Sequence, residues 1–345
     1  MFYLKYRPQT IGALDNSQVR TKIENILKTK DIPHALLFVG SKGMGKTSTA
    51  RIVAKAVNCL ENMFANKGIS FEPCNTCQNC TAIDHNSSPD VVEQDAASNR
   101  GIDEIRKLIK ESSFAPMTGR FRVYIIDEAH MITPDAFNAL LKTLEEPPST
   151  VMFILATTNE EKVPTTIISR CVRIAFGQAN KSDIIHMLDR MTAAEKITID
   201  EEIKQIIFKY CDNSFRDAAK LLEELVLQNK LTRDEAEKYL GVHSKHNLLI
   251  LMKTKPLADS LQWIEEFCNS GGNMKRIIED LLKILQIQLL LKSGVKTDGE
   301  DLGFTVSEIA KLMKLLHDAY KNLKITPIES LPLEIAVVEF YNLKK

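Results

Sequence analysis

Between residues 35 and 176 the chain alternates short apolar runs with stretches whose apolar positions return every three to four residues. ALLFV (35–39), DVVEQD (90–95), RVYIID (122–127), VMFILATT (151–158) and CVRIAF (171–176) have strand length. Thr47–Asn58 and Ile102–Ser113 carry the helical period, and Pro134–Glu146 is opened by a proline and stopped by Pro147-Pro148. Strands alternating with helices predict the α/β class, a parallel sheet covered on both faces. Past about residue 178 the strand signals stop. KSDIIHMLDRMTAAE and EEIKQIIFKYC are helical, as is most of 244–345, with loops expected at SGGN (270–273) and GVKTDGEDLG (294–303). The predicted organisation has three parts: an α/β domain over 1–178, a helical domain over 179–242 and an all-α domain over 243–345.

Composition narrows the class. A chain of 345 residues, 44% hydrophobic and 26% charged, suits two or three soluble domains that bury a core without staples. Lys plus Arg is 45 and Asp plus Glu is 45, so overall charge announces no nucleic-acid partner, although a local basic stripe is compatible with a zero sum. MFYLKYRPQT has no apolar signal-peptide core, and ILQIQLLL (284–291) falls far below the roughly 20 residues that span a bilayer. A cytoplasmic location with no membrane partner is expected. There the seven cysteines stay reduced, so a tight cluster among them points to metal rather than disulfides.

The strongest motif is Gly40-Ser41-Lys42-Gly43-Met44-Gly45-Lys46-Thr47, followed by Ser48. It follows a predicted strand and opens a predicted helix, the context in which GxxxxGK[ST] cradles phosphates with backbone N–H groups and the helix dipole. Lys46 would reach the β- and γ-phosphates of ATP, and Thr47 would ligate Mg²⁺. In VYIIDEAH, Asp127 and Glu128 end a buried strand where α/β sheets bind ligands. Asp127 would serve the Mg²⁺ shell and Glu128 would act as general base, while His130 reads as structural.

Cys74-Asn-Thr-Cys77-Gln-Asn-Cys80, with Cys59 upstream, offers four thiolates. Such a set suits a closed tetrahedral Zn²⁺ site with no open position for catalysis. His85 is a poorer alternative ligand. Three further features are weak alone: Thr157-Thr158-Asn159 at a strand end, Arg170 in Ser-Arg-Cys, and Arg216 at a helix start. Arg170 reads either as a surface ion pair or as a finger reaching a neighbour's nucleotide, and Arg216 as a cis contact to the phosphates.

In their order, these pieces resemble the gamma/tau subunit of the bacterial DNA polymerase III clamp loader, an AAA+ ATPase. YRPQT (6–10), GKTSTARIVAKAVNC (45–59), DAASNRGIDEIR (95–106), NALLKTLEEPP (138–148) and LATTNEEKVPTTIISRC (155–171) carry the resemblance over nearly all of 1–242. It implies an AAA+ P-loop core with an inserted zinc module at about 59–88, a helical lid and a C-terminal all-α collar for oligomerisation. By this resemblance Lys46 and Thr47 belong to Walker A and Asp127 and Glu128 to Walker B. Thr158 becomes sensor 1, Arg170 the trans finger and Arg216 the sensor-2 arginine. Cys59, Cys74, Cys77 and Cys80 become zinc ligands, and Tyr6, Arg7 and Pro8, with backbone near Gln18 and Val19, the adenine pocket. The sequence departs from the pattern in a longer Cys59–Cys74 interval, in Asn16-Ser17-Gln18, and in Asn213 where glycine is usual. It also stops where a short, gamma-like form would stop.

The implied function is ATP-driven loading of a sliding clamp onto primed DNA. The subunit would act within the polymerase holoenzyme beside delta- and delta-prime-like subunits and copies of itself, without polymerising. Arg100, Arg106 and Lys107 are DNA-contact candidates, against a merely solvated helix face. A DEAH helicase would need a second motor domain. A stator subunit would lack the working P-loop, and an RFC-type small subunit would lack the cysteines. An inert zinc protein would turn over no ATP.

Overall fold

The computed structural model describes residues 1–345 except 30, 99–100, 234, 237–244, 270–273, 296–300, 324 and 343–345, and except the side chains of 245–247 and 276. Two compact units are present, Met1–Thr232 and Arg233–Lys345.

The first unit is built on five strands: β1 Ala35–Gly40, β2 Val91–Asp95, β3 Arg122–Asp127, β4 Val151–Thr157 and β5 Val172–Gly177. All pair in parallel, in the order β2-β3-β4-β1-β5. β4, second from β1's other neighbour and flanked on both sides, is buried along its whole length. That is why VMFILAT shows no polar alternation. Strand side chains alternate between faces. Leu37, Tyr124, Ile126, Phe153 and Leu155 join Ile105, Leu108, Phe137 and Leu140 in one cluster, placing helices α5 (Ile102–Ser112) and α6 (Pro134–Glu145) on that face. Each such buried aliphatic or aromatic side chain contributes about 1.5–3 kcal/mol relative to exposure. Helix α3 (Lys46–Asn58) packs against β1, β3 and β4.

Other helices of this unit are α1 (Phe2–Lys5), α2 (Ser17–Lys28), α4 (Gln78–Asp84), α7 (Thr165–Ile168), α8 (Lys181–Glu195), α9 (Glu201–Tyr210) and α10 (Phe215–Leu227). α8 to α10, expected as a domain of their own, lie in the same compact unit as the sheet. The expected boundary near 242 lies outside the described residues. Two departures in sequence prove locally sound. Asn16 accepts from Val19 N at 3.0 Å and so caps α2, while its amide donates to Phe176 O at 2.7 Å. Asn213 has φ +54, a left-handed conformation that asparagine tolerates, so the turn into α10 is kept.

The described regular structure of the second unit includes the helices Lys245–Thr254, Leu257–Asn269, Met274–Lys292, Val306–Asn322 and Leu331–Asn342. Its core gathers Leu249, Ile264, Leu281, Leu312, Val337 and Phe340. Trp263 stacks on Phe267 with centroids 5.2 Å apart. Thr305 and Glu308 close a capping box, and Lys253 pairs with Glu308 at 3.0 Å. The expected loop at 270–273 and residues 296–300 of that at 294–303 lie outside the described residues. Among the described residues no helix is long and apolar enough to cross a membrane.

Candidate nucleotide and metal sites

β1 ends at Gly40, and the chain turns through Gly43 (φ +84) and Gly45 (φ +86) into the first turn of α3. Two glycines are fixed by space as well. A Cβ on Gly40 would lie 2.8 Å from Phe176 Cβ of β5, and one on Gly43 would lie 2.2 Å from Ser214 Oγ. The backbone at Gly43 therefore touches the turn into α10, where Arg216 N donates to Gly43 O at 3.4 Å.

A cleft opens beside this loop in two continuous lobes. The polar lobe is lined by Lys42 to Ser48, with Arg7, Arg51, Asp127, Glu128 and Arg216. Lys46 Nζ donates to Gly40 O at 2.7 Å and Ser41 O at 2.9 Å, so these two residues serve through their carbonyls. Burial pulls the Lys46 ammonium below its ordinary value, with Glu128 and Asp127 opposing. Arg7 is likewise pulled down, by burial first and then by Arg51 and Arg216. Cations crowded at a helix N-terminus make a lobe that suits an anion of several charges.

Across the lobe, Thr47 Oγ1 donates to Asp127 Oδ2 at 2.5 Å, joining the start of α3 to the end of β3. A hydroxyl and a carboxylate so placed suit Mg²⁺. Glu128 stands at φ +48, ψ +43. For a glutamate this left-handed conformation costs on the order of 1–2 kcal/mol. Its carboxylate is aimed by Thr158 Oγ1 at 3.0 Å, from just past β4, and by His130 Nδ1 at 3.3 Å. His130 Nδ1 also lies 3.1 Å from Thr157 Oγ1. The structural reading of His130 thus gains a specific content, the orientation of Glu128.

The apolar lobe is lined by Tyr3, Tyr6, Pro8, Leu14, Val19, Met44, Met187, Met191, Phe215 and Ala219, with Asn16 and Arg7. Of the residues named for an adenine pocket, Tyr6, Arg7, Pro8 and Val19 line this lobe and Gln18 does not. Tyr3, Met187, Met191, Phe215 and Ala219 carry no signal of a pocket in the sequence, because apolar residues at helical spacing are ordinary core positions. Arg51, also missed, makes a bidentate pair with Glu93 at 2.6 and 2.8 Å at the rim of the polar lobe.

Arg170 lines neither lobe. It follows α7, half-buried, donating to Thr166 O at 2.7 Å and pairing with Glu145. Arg106 and Lys107 occupy the exposed face of α5, opposite Ile105 and Leu108. Arg100 lies outside the described residues.

The four cysteines meet at the end of α3. The Sγ atoms of Cys59, Cys74, Cys77 and Cys80 all lie within 4.8 Å of one another. Tetrahedral zinc with bonds of about 2.3 Å holds its sulfurs roughly 3.8 Å apart, so the set fits one ion. Sγ of Cys59 accepts from Glu61 N and Cys74 N, both at 3.4 Å, and Sγ of Cys74 accepts from Cys77 N at 3.2 Å. Burial opposes ionisation of Cys74, but hydrogen bonds from Thr76 and Cys77 outweigh it and hold the thiol down to about 6. Burial pushes the Cys59 and Cys80 thiols up. His85 terminates α4 and is not part of the cluster.

The sheet order, the glycine loop between β1 and α3 and the acids at the end of β3 define an AAA+-type P-loop protein. Solved structures agree on the fold alone. The Thermotoga maritima RuvB Holliday junction branch migration motor superposes with a TM-score of 0.51 at 14% identity, covering 78% of this chain and 86% of that one. A family model described as DNA polymerase III, delta subunit, matches residues 15–180. The chain is 32% identical to DNA polymerase III subunit gamma of Buchnera aphidicola subsp. Baizongia pistaciae over 98% of this chain and 96% of that protein. It is 36% identical to subunit tau of Bacillus subtilis over 98% of this chain, which spans 62% of that relative's length. It matches 46% of the length of Escherichia coli subunit tau at 34% identity. The chain belongs to the DNA polymerase III gamma/tau subunit family.

Proposed function

We propose that this protein is an ATP-hydrolysing motor subunit of a clamp loader, acting in DNA replication to place a sliding clamp on primed DNA. The observation that carries the reading is the meeting of Lys46, the Thr47–Asp127 pair and the Thr158–Glu128 pair at the mouth of one cleft.

ATP is the substrate, its base against the apolar lobe and its phosphates over the N-terminus of α3. Lys46, Arg7 and Arg216 bind the phosphate charge. Thr47 and Asp127 would hold Mg²⁺, which would supply charge neutralisation on the phosphate oxygens. Glu128 takes a proton from the attacking water, and Thr158 and His130 hold its carboxylate in place. α8 to α10 act as a lid, with Arg216 reporting the phosphates to it. The helical unit from 245 onward acts as a collar for oligomerisation. Arg170 lines neither lobe of its own cleft, which supports a role at a neighbour's site. To serve there it must exchange Glu145 for the neighbour's phosphates. Zn²⁺ at the four cysteines is structural, because four thiolates leave no open position. Delta- and delta-prime-like subunits and further copies of the chain complete the assembly. Arg106 and Lys107 are offered as DNA contacts.

The test is steady-state ATPase of the reconstituted loader with and without clamp and primed DNA. Wild type should be stimulated by both, and Lys46→Ala should be inactive. Arg170→Ala mixed with intact subunits should lose about 10³-fold of the turnover at the site it faces. Turnover indifferent to clamp, or a silent Arg170→Ala, would refute the loader reading or the trans finger respectively.

A further inference from the structure

The long Cys59–Cys74 interval folds back on α3. Met63 and Phe64 are buried, and Asn62 donates to Ala56 O at 2.8 Å. This brings Glu72 against the N-terminal segment, where its carboxylate accepts from Ile11 N and Gly12 N, each at 2.7 Å. A second tie lies close by. Lys55, on the last turns of α3 and 1% exposed, donates to Gln9 Oε1 at 2.6 Å. The same ammonium donates to Asn75 Oδ1 at 2.8 Å and pairs with Asp84 at 2.9 Å. Asn75 stands between Cys74 and Cys77, and Asp84 ends α4, the helix that carries Cys80.

Gln9, Ile11 and Gly12 directly follow Tyr6, Arg7 and Pro8, the wall of the apolar lobe. From the other side this wall is held by the α8 residue Arg190, which donates to Tyr6 O at 3.2 Å and pairs with Asp15 at 2.9 Å. The stretch Arg7–Gly12 belongs to no helix or strand, so its place is set by what grips it at either end.

We propose that the cysteine module is the outer anchor of the nucleotide pocket. Glu72, Lys55 and Gln9 are positioning residues, and they link metal binding at the four cysteines to nucleotide binding behind Tyr6–Pro8. The inference rests on the reading of the cleft and cluster given above. Linkage is reciprocal: metal that orders the module favours nucleotide, and nucleotide that orders the wall favours metal. The anchor acts chiefly on the base side: Tyr6 and Pro8 line the apolar lobe, only Arg7 of the wall also lines the polar lobe, and the phosphate loop itself is built from β1 and α3.

The experiment compares ATP and tripolyphosphate affinities of the purified full chain, by competition against a fluorescent adenine nucleotide, with zinc content measured in parallel. The double variant Gln9→Ala, Glu72→Ala should keep one zinc per chain and bind ATP about tenfold more weakly. Its tripolyphosphate affinity should fall by less than its ATP affinity, because of the wall only Arg7 also lines the polar lobe, and reverting to Gln9 with Glu72→Gln should recover part of the ATP loss. Stripping zinc from wild type under reducing conditions should weaken ATP by a similar factor, and stripping the double variant should add little, because one anchor is broken only once. Wild-type ATP affinity in the double variant, additive losses, or an equal loss of tripolyphosphate binding would each overturn the anchor while leaving the ATPase reading in place. Failure of the wild type to bind ATP would sink that reading, and the anchor with it.

Discussion

On the polar side of the cleft the working groups come from three strand ends and one helix start: β1 into α3, β3 and β4. On the apolar side the lining is drawn from the N-terminal segment, α2, α8 and α10. The first set is borne on a sheet whose register fixes the strand ends against each other, with Val39 level with Thr157. The second is held by side-chain ties between elements far apart in the chain, such as Arg190 with Asp15 and Phe2 N with Glu223 at 3.0 Å. Chemistry needs geometry good to a fraction of an ångström, which a parallel sheet supplies. Binding a flat base needs an apolar slot, and the slot here is lined by a gripped segment and by α8 and α10.

The contrast can be tested by damaging each side separately. The largest effect is expected on the polar side, where Glu128→Gln should lower turnover by about 10³-fold while ATP affinity stays within about threefold. Equal losses in affinity and turnover would mean that Glu128 shapes the site rather than reacting in it.

Next comes the floor beneath the strand ends. Asp90 accepts from Met117 N at 2.6 Å and from Thr118 N and Gly119 N at 2.7 Å, while Asn58 Oδ1 accepts from Arg120 N and Phe121 N at 2.9 Å. Burial opposes the Asp90 charge, but these amides outweigh it and hold the carboxyl below its ordinary value. A depressed carboxyl contributes stability that is present above its unfolded value and is lost as pH falls through the folded one. Asp90→Ala should therefore cost about 3 kcal/mol in urea unfolding at neutral pH, and less as the pH is taken below about 4. A cost that holds steady into acid would mean that packing, not charge, makes the brace.

On the apolar side Tyr6→Ala should raise the Kd for ATP about tenfold, or about 1.4 kcal/mol, with turnover at saturation nearly unchanged. A fall in turnover would show that the two sides are not separable. The smallest effect serves as a control in the second unit. Thr305→Ala removes a capping box and should cost about 1 kcal/mol in the stability of that unit, with ATP affinity untouched.

Much of the polar side was legible in the chain because its residues are neighbours in sequence. Lys46 and Thr47 follow one strand, and Asp127 and Glu128 end another. The cysteine cluster was legible for the same reason, three of its members lying within seven residues. The apolar lining was only partly legible. Tyr6–Pro8 came through resemblance, while Met187, Met191 and Phe215 are indistinguishable in sequence from core positions of any amphipathic helix. Helix α2 went unread, although Asn16 and the spacing of Val19, Ile23 and Leu27 announce it.

The sequence by itself determined the order of strands and helices, the phosphate loop, the paired acids and the four thiols. Local patterning and short motifs record interactions within one element or one turn. Only the tertiary structure decided that Thr158 and His130 both aim Glu128, that Ser214 forbids a side chain at Gly43, and that Arg170 lines neither lobe of its own cleft. It also decided that Lys55 and Glu72 tie the cysteine module to the wall of the pocket. Apart from His130, a near neighbour of Glu128, those pairs lie 20 or more residues apart. Nothing in a side chain's identity says which distant partner the fold will bring within 3 Å.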